Sequence, residues 1–412
     1  MLPDPAGSPF APSPSGTRTR QLRSSVIPSA LALALAATLP MPAAAQKARA
    51  ELHIDVATHA APGMGALGAV GRFTGNMSGG TASYGQALHP GLPGRYLDIA
   101  LDNSRKPGAP ATQAIPRDLR LGKDIDLLAP TQRVTTASGG VSGGQAMGLP
   151  DDSTHTVRYY WGCGDEVRKG QPRTFTMSIR NGKPVNSGNA PTPRAVPQQG
   201  ITASPQYALW PNESSRKSVP AKASLVGTHT VTGKDLPEAI QFEIDRAQDF
   251  MPELKLDSEG SVEKGLTLKW NAVDGARAYF LHAFGMDGDT MVMWSSSEDG
   301  YAGHEMMTYL PGGTISEWTG KRTLLPPTAR SCTIPSEVFA SMPMVQAIAY
   351  GSQRTITGAD WRVHLRNKST AMLMGGGIGL NPKDTAKDTA KDTAKDTAKD
   401  TAKGMLRGLL RR

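Results

Sequence analysis

The sequence predicts a mainly β protein with two sandwich-like units, and three features of its 412 residues point there. The 45 glycines and 32 prolines are well above their usual share, while aromatic residues make up only 6%. Several segments alternate apolar and polar residues with a period of two, the mark of a half-buried strand. Glycine, proline, asparagine and aspartate clusters punctuate these segments at short intervals, as hairpins and meanders require. The apolar content of 38%, with glycine added, is enough to fill a globular core.

The first element is an export signal. Arg18, Arg20 and Arg23 precede a mostly apolar stretch, 26–40, and Ala43-Ala44-Ala45-Gln46 follows. A basic region, a short apolar run and an A-x-A site are the three parts of a secretory signal, so 1–45 is assigned as a signal peptide with a long n-region, cut after Ala45. The run is shorter than the ~20 residues that span a bilayer. The mature chain is expected in the periplasm, the outer envelope or the medium.

Residues 46–149 are rich in glycine, proline and alanine and are predicted to be partly disordered, with one strand at 52–57. Apolar residues at 119, 121, 125, 127 and 128 fit no single period, and 135–148 is a glycine/serine loop. The unit 150–255 is predicted all-β. Thr, Val, Tyr and Trp concentrate at 156–161, and Phe175, Met177 and Ile179 alternate with hydroxylated residues. Further short strands are read at 207–210, 224–231 and 240–244.

The second unit spans 262–372. Leu266, Leu268 and Trp270 share one face of a strand, Asp274-Gly275 turns, and Tyr279, Leu281 and Ala283 alternate on the next. Met291 and Met293 follow on a third, and 345–350 and 361–365 supply closing strands. The run Leu-Lys-Trp-Asn-Ala-Val-Asp-Gly-Ala-Arg-Ala-Tyr resembles the paired core strands of bacterial fibronectin type III-like domains. That resemblance implies an immunoglobulin/fibronectin III-like β-sandwich with Trp270 and Tyr279 in its core, and it implies no activity. Tyr159-Tyr160-Trp161-Gly162-Cys163-Gly164 and Lys368-Ser369-Thr370 look like segments of uncharacterised exported proteobacterial proteins.

Cys163 and Cys332 are the only cysteines. After export they could close a loop of about 170 residues as one disulfide; two separately buried thiols are the other reading. The net charge of +9 is spread thinly: +2 in the first 45 residues, +4 from Asn381 onward and +3 in the body between. A body so near neutrality lacks the footprint of a polyanion binder, and no nucleic-acid partner is expected.

Motifs that begin like chemistry do not complete. Gly63-Met64-Gly65-Ala66-Leu67-Gly68 matches G-x-G-x-x-G, but no amphipathic helix and no acid about 20 residues on follow it. His304-Glu305-Met306-Met307-Thr308 starts like H-E-x-x-H, with Thr308 where the second imidazole must be. The other seven histidines are scattered in sequence, and no metal site is predicted. Ala137-Ser138-Gly139-Gly140 lacks the aspartate and the placed partners of a serine-protease turn, and the acidic turns at 287–289 and 298–300 miss the calcium-loop spacing. No catalytic or cofactor-binding residue is assigned. Among the aromatics, Trp318 sits between polar neighbours and is expected to be exposed, a candidate ligand contact.

The last segment, 373–412, is a low-complexity tail. Lys-Asp-Thr-Ala occurs five times from Lys383 to Ala402 with no apolar stripe, so the repeat can only be a solvated spacer, helical or disordered. Beyond it, 404–412 mixes leucines with arginines and could touch an anionic membrane weakly. Together these features predict an exported envelope or secreted protein that binds a glycan, peptide or protein. The competing reading is a secreted hydrolase whose site is assembled from residues distant in sequence.

Overall fold

The computed structural model describes residues 49–62, 82–88, 91–131 and 152–374, apart from 182, 193, 198 and 199. The expected export signal at 1–45, the glycine motif at 63–68, the segment 137–140 and the tail from 375 lie outside the described residues. In chain order the strands are β1 (Ala50–Ala60), β2 (Gly94–Asn103), β3 (Ala111–Ala114), β4 (Asp124–Leu127), β5 (Thr154–Trp161) and β6 (Arg173–Arg180). Next come β7 (Lys183–Ser187), β8 (Tyr207–Trp210), β9 (Gly227–Thr232), β10 (Ile240–Ile244), β11 (Leu256–Ser261) and β12 (Gly265–Trp270). The series closes with β13 (Ala278–Asp287), β14 (Thr290–Ser295), helix α1 (Gly312–Gly320), β15 (Ser331–Ile334), β16 (Met344–Thr357) and β17 (Trp361–Leu373).

The protein is mainly β, as its turn-rich composition predicts. One ten-stranded sheet, ordered β7-β6-β5-β14-β13-β16-β17-β1-β2-β8, carries two smaller sheets, β10-β9-β3-β4 and β11-β12-β15. The sheet boundaries differ from the two expected units: strands of 150–255 and of 262–372 share the large sheet with β1 and β2 from 46–149. The described residues belong to a single compact unit. The 46–149 region, expected to be partly disordered with one strand at 52–57, supplies four strands, β1 to β4. Gly94–Asn103 was hard to read because both of its faces are buried along most of its length, which blurs the alternation of period two.

One face of the large sheet carries two apolar cores, one under each smaller sheet. Against β4, β3, β9 and β10 it packs Leu52, Ile54, Val56, Leu97, Ile99, Val363 and Leu365. Against β11, β12 and β15 it packs Tyr279, Leu281, Val292, Trp294, Val345 and Ala347. Trp270 of β12 and Tyr279 of β13 are both buried and meet across the layers, 5.6 Å between ring centroids. Between these two cores the chain 246–254 crosses the sheet and is held by polar groups. Thr58 donates to the Met251 carbonyl at 2.7 Å, and the Asn367 amide donates to those of Ala247 and Asp249. Gly351 lies so close that a Cβ there would be 2.1 Å from Asn367 Oδ1.

Cys163 and Cys332 are joined by a disulfide, with 5.2 Å between their Cα atoms. It ties the turn after β5, in the large sheet, to β15, in the three-stranded sheet.

Candidate functional site

The opposite face of the large sheet is apolar at its two ends and mixed between them, where Phe280, Ile348 and Tyr350 pack with α1 beside a polar band. Val157, Phe175, Met177 and Met293 fill one end, and Ala100, Ala203 and Leu209 the other. Between them, β1, β2, β17, β16 and β13 turn Asp55, His59, Asp98, Arg366, Lys368, Thr370, Gln346 and His282 to the same side, all buried. Register makes this cluster: β1 and β17 run parallel, so Asp55 lies beside Arg366 and His59 beside Thr370, while antiparallel β2 brings Asp98 to Asp55. Residues i and i+2 of a strand share a face, which stacks these pairs in rows.

The charges are answered within the protein. Arg366 donates to both Asp55 oxygens, Nε at 2.5 Å and Nη2 at 2.6 Å. Burial works against the Arg366 charge, but the Asp55 carboxylate outweighs it and leaves the guanidinium pKa raised. Asp98 accepts from the amides of Gly85 and Ala87 at 3.0 and 2.8 Å; burial and the nearby Asp55 charge hold its pKa well above the usual carboxylate range. Lys368 donates to the carbonyls of Leu88 and Met307 at 2.7 and 3.1 Å. Its pKa is lowered to about 7, by burial first and by Arg366 second. Tyr309 covers both cations, with the Arg366 guanidinium 4.4 Å and Lys368 Nζ 4.7 Å from its ring centroid. The Tyr309 hydroxyl donates toward the carbonyls of Val56 and Ala87.

Histidines continue the polar band. His59 Nδ1 lies 2.8 Å from Thr370 Oγ1, and His304 Nδ1 lies 3.2 Å from Gln346 Oε1. Among the described residues neither ring nitrogen of buried His282 has a hydrogen-bond partner. Burial lowers the pKa of His59 to about 4 and that of His282 to about 3.

Where β1 and β17 begin, the band reaches solvent. His53 and His364 are neighbours in register, and their rings stack at 4.7 Å and 22°. Glu51, two residues before His53, places Oε2 3.9 Å from His53 Nε2 and 3.6 Å from His364 Nε2. One ligand atom from each of the three residues lies within 4.8 Å of the other two. Thr355 Oγ1 on β16 is 3.3 Å from His364 Nδ1, and Arg362 Nη1 is 3.8 Å from Glu51 Oε1. Burial, helped by His364, lowers the His53 pKa to about 4. Sequence reasoning missed this trio because its histidines are 311 residues apart, and only the β1–β17 register unites them.

Trp318 corrects an expectation. Ser316, Glu317, Thr319 and Gly320 read as a polar turn, but they belong to helix α1, which turns Ile315 and Trp318 inward at i, i+3 spacing. Trp318 is 7% exposed, packed with Met306, Leu310 and Leu324, and the Arg194 guanidinium lies 5.1 Å from its ring centroid. It cannot present a ligand-contact face. His304 and Glu305, from the incomplete zinc motif, sit in a 3-10 turn at 304–306, where the Gly303 amide donates to Glu305. Among the described residues no helix is long and apolar enough to cross a membrane.

Comparisons with protein-family models, with curated proteins and with solved structures gave no match to this chain.

Proposed function

We propose that this chain is an exported protein of the cell envelope or medium that works as a rigid binding scaffold for a glycan, peptide or protein. The observation that carries this reading is the Cys163–Cys332 bond, because a bond between strands of two sheets persists in an oxidising compartment and is reduced in most cytosols. The basic-apolar-small order of 1–45 agrees with it. The internal pairing of the buried charges supports a scaffold, since Asp98 and Lys368 fasten covering segments to the sheet and Asp55 and Arg366 answer each other within it. On this reading the repeat from Lys383 spaces the sheet from the basic segment 404–412, which touches the envelope weakly.

A hydrolase is the second reading, favoured by one observation: Asp98 and Lys368, a raised carboxylate and a lowered amine, belong to the same buried cluster. Fractionation of cells making the full chain and a version ending at Pro382 separates these ideas, with cysteine alkylation before and after reduction. The scaffold reading expects protein in the periplasm or envelope that starts at Gln46, takes up alkylating agent only after reduction, and leaves the envelope in high salt when the tail is missing. Cytosolic protein with both thiols open to alkylation would refute export. Turnover of ester, peptide or glycoside substrates that vanishes in Lys368→Met would move the assignment to the hydrolase.

A further inference from the structure

Glu51, His53 and His364 form a donor set without an evident structural purpose. Asp98 and Lys368 on this face fasten covering segments to the sheet and Asp55 pairs with Arg366, whereas these three side chains retain 27%, 27% and 34% of their exposure. Their Nε2 and Oε2 atoms converge on one another rather than on backbone groups. In the tautomer where His364 Nδ1–H donates to Thr355 Oγ1, the Nε2 lone pair points toward the Glu51 carboxylate. Two acceptors facing each other repel, and a cation between them removes the repulsion.

We propose that Glu51, His53 and His364 hold one divalent transition-metal ion, zinc in the first place, with a fourth position open to water or to a donor group of a bound ligand. Two imidazoles and a carboxylate are a known zinc set, and three protein ligands with one open position is the pattern of accessible zinc sites. Tetrahedral geometry with bonds of about 2.0–2.2 Å needs donor atoms roughly 3.4 Å apart. The separations from Glu51 are 3.6 and 3.9 Å and all three donors lie within 4.8 Å, so binding requires the stacked imidazoles to turn toward a common point. Both histidines stand on paired strands in one sheet, so the backbone need not move. Thr355 supplies the outer contact that fixes the ring of a metal-bound histidine. Asp102, opposite Glu51 on β2, adds negative charge, while Arg362 competes for Glu51. The next row inward, Asp55 with Arg366, is an internally paired couple. Softness favours zinc or copper over calcium or magnesium, which demand oxygen ligands.

The test uses the purified full chain with its disulfide intact, stripped with a chelator and then titrated with Zn²⁺ by calorimetry and with Co²⁺ by visible absorption. One equivalent of Zn²⁺ and the intense visible bands of four-coordinate Co²⁺ are expected. His53→Ala, His364→Ala and Glu51→Gln should each weaken binding more than about tenfold, and Thr355→Val by about 10–100-fold, the range for outer contacts. Arg362→Ala should tighten it, and His155→Ala, on a distant strand, should leave it unchanged. Metal-free melting curves show which variants remain folded, and Glu51→Gln, a near-isosteric change, serves if a histidine variant does not. The proposal is overturned by a stoichiometry below about a tenth, by an octahedral Co²⁺ spectrum, or by affinity that survives the Glu51 and histidine changes. None of those failures would bear on export, which is read from fractionation and alkylation.

Discussion

Asp55 and Arg366 lie side by side on parallel strands although 311 residues separate them, and the guanidinium grips both carboxylate oxygens inside the protein. A buried ion pair contributes little net stability, but breaking it leaves one charge without compensation. Asp55→Ala should therefore cost about 3–5 kcal/mol, whereas Asp55→Leu combined with Arg366→Met should be close to neutral or stabilising. Urea midpoints at unchanged m-value measure both. A loss in the double variant equal to the sum of the two single losses would mean that the residues act separately.

Lys368 joins the central strand β17 to segments that cover it, through the carbonyls of Leu88 and Met307. Lys368→Met keeps the bulk and removes the donors. Amide exchange should quicken at 84–88 and at 304–310 while the β5–β6 hairpin stays protected. An unchanged pattern would show that the covers are held by other contacts.

Acid should weaken the fold through buried histidines. His59 and His282 fall from 6.5 to about 4 and about 3, so in that interval the unfolded chain takes up protons that the folded chain refuses. Their contribution is complete above pH 6.5 and drains as pH falls through 4 and 3. Asp98, whose pKa is raised, works in the opposite direction as pH rises above the ordinary carboxylate value. His282→Leu isolates one part: it removes two unpartnered nitrogens, should raise stability at neutral pH by about 1–3 kcal/mol, and should flatten the acid limb of the urea midpoint curve. A variant with the same acid slope as the wild type would exclude His282 as a source.

The disulfide encloses 169 residues, a span for which chain entropy gives about 5 kcal/mol. The pair Cys163→Ala and Cys332→Ala should lose about 2–5 kcal/mol in urea, and reduction of the wild type should lose the same amount. A much larger loss on reduction alone would point to damage beyond the crosslink.

The parts of this fold that could be read in the sequence are those where one face is apolar and the other wet. Phe175, Met177 and Ile179 alternate in β6, and Leu266, Leu268 and Trp270 in β12, and these positions are buried. Elsewhere alternation misleads. Arg362, His364, Arg366 and Lys368 look like the solvent side of β17, yet the last two are buried beneath Tyr309. Glu51 and His53 read as the wet side of an ordinary strand until β17 is laid beside them. Local pattern carries periodicity and turns, but the polar band and the three-residue donor set exist only through pairings that span most of the chain.

The position of β1 sets the order in which the molecule can assemble. Its partner β17 ends at Leu373, so the middle of the large sheet stays open until residue 373 has been made. Until then β1 has only β2 beside it, with an unpaired edge exposed to wrong partners. High separation between paired strands also slows closure. On the export reading proposed above, such a chain would cross a narrow channel as an extended thread with little to unravel; in any compartment it needs protection from self-association for as long as that last pairing takes.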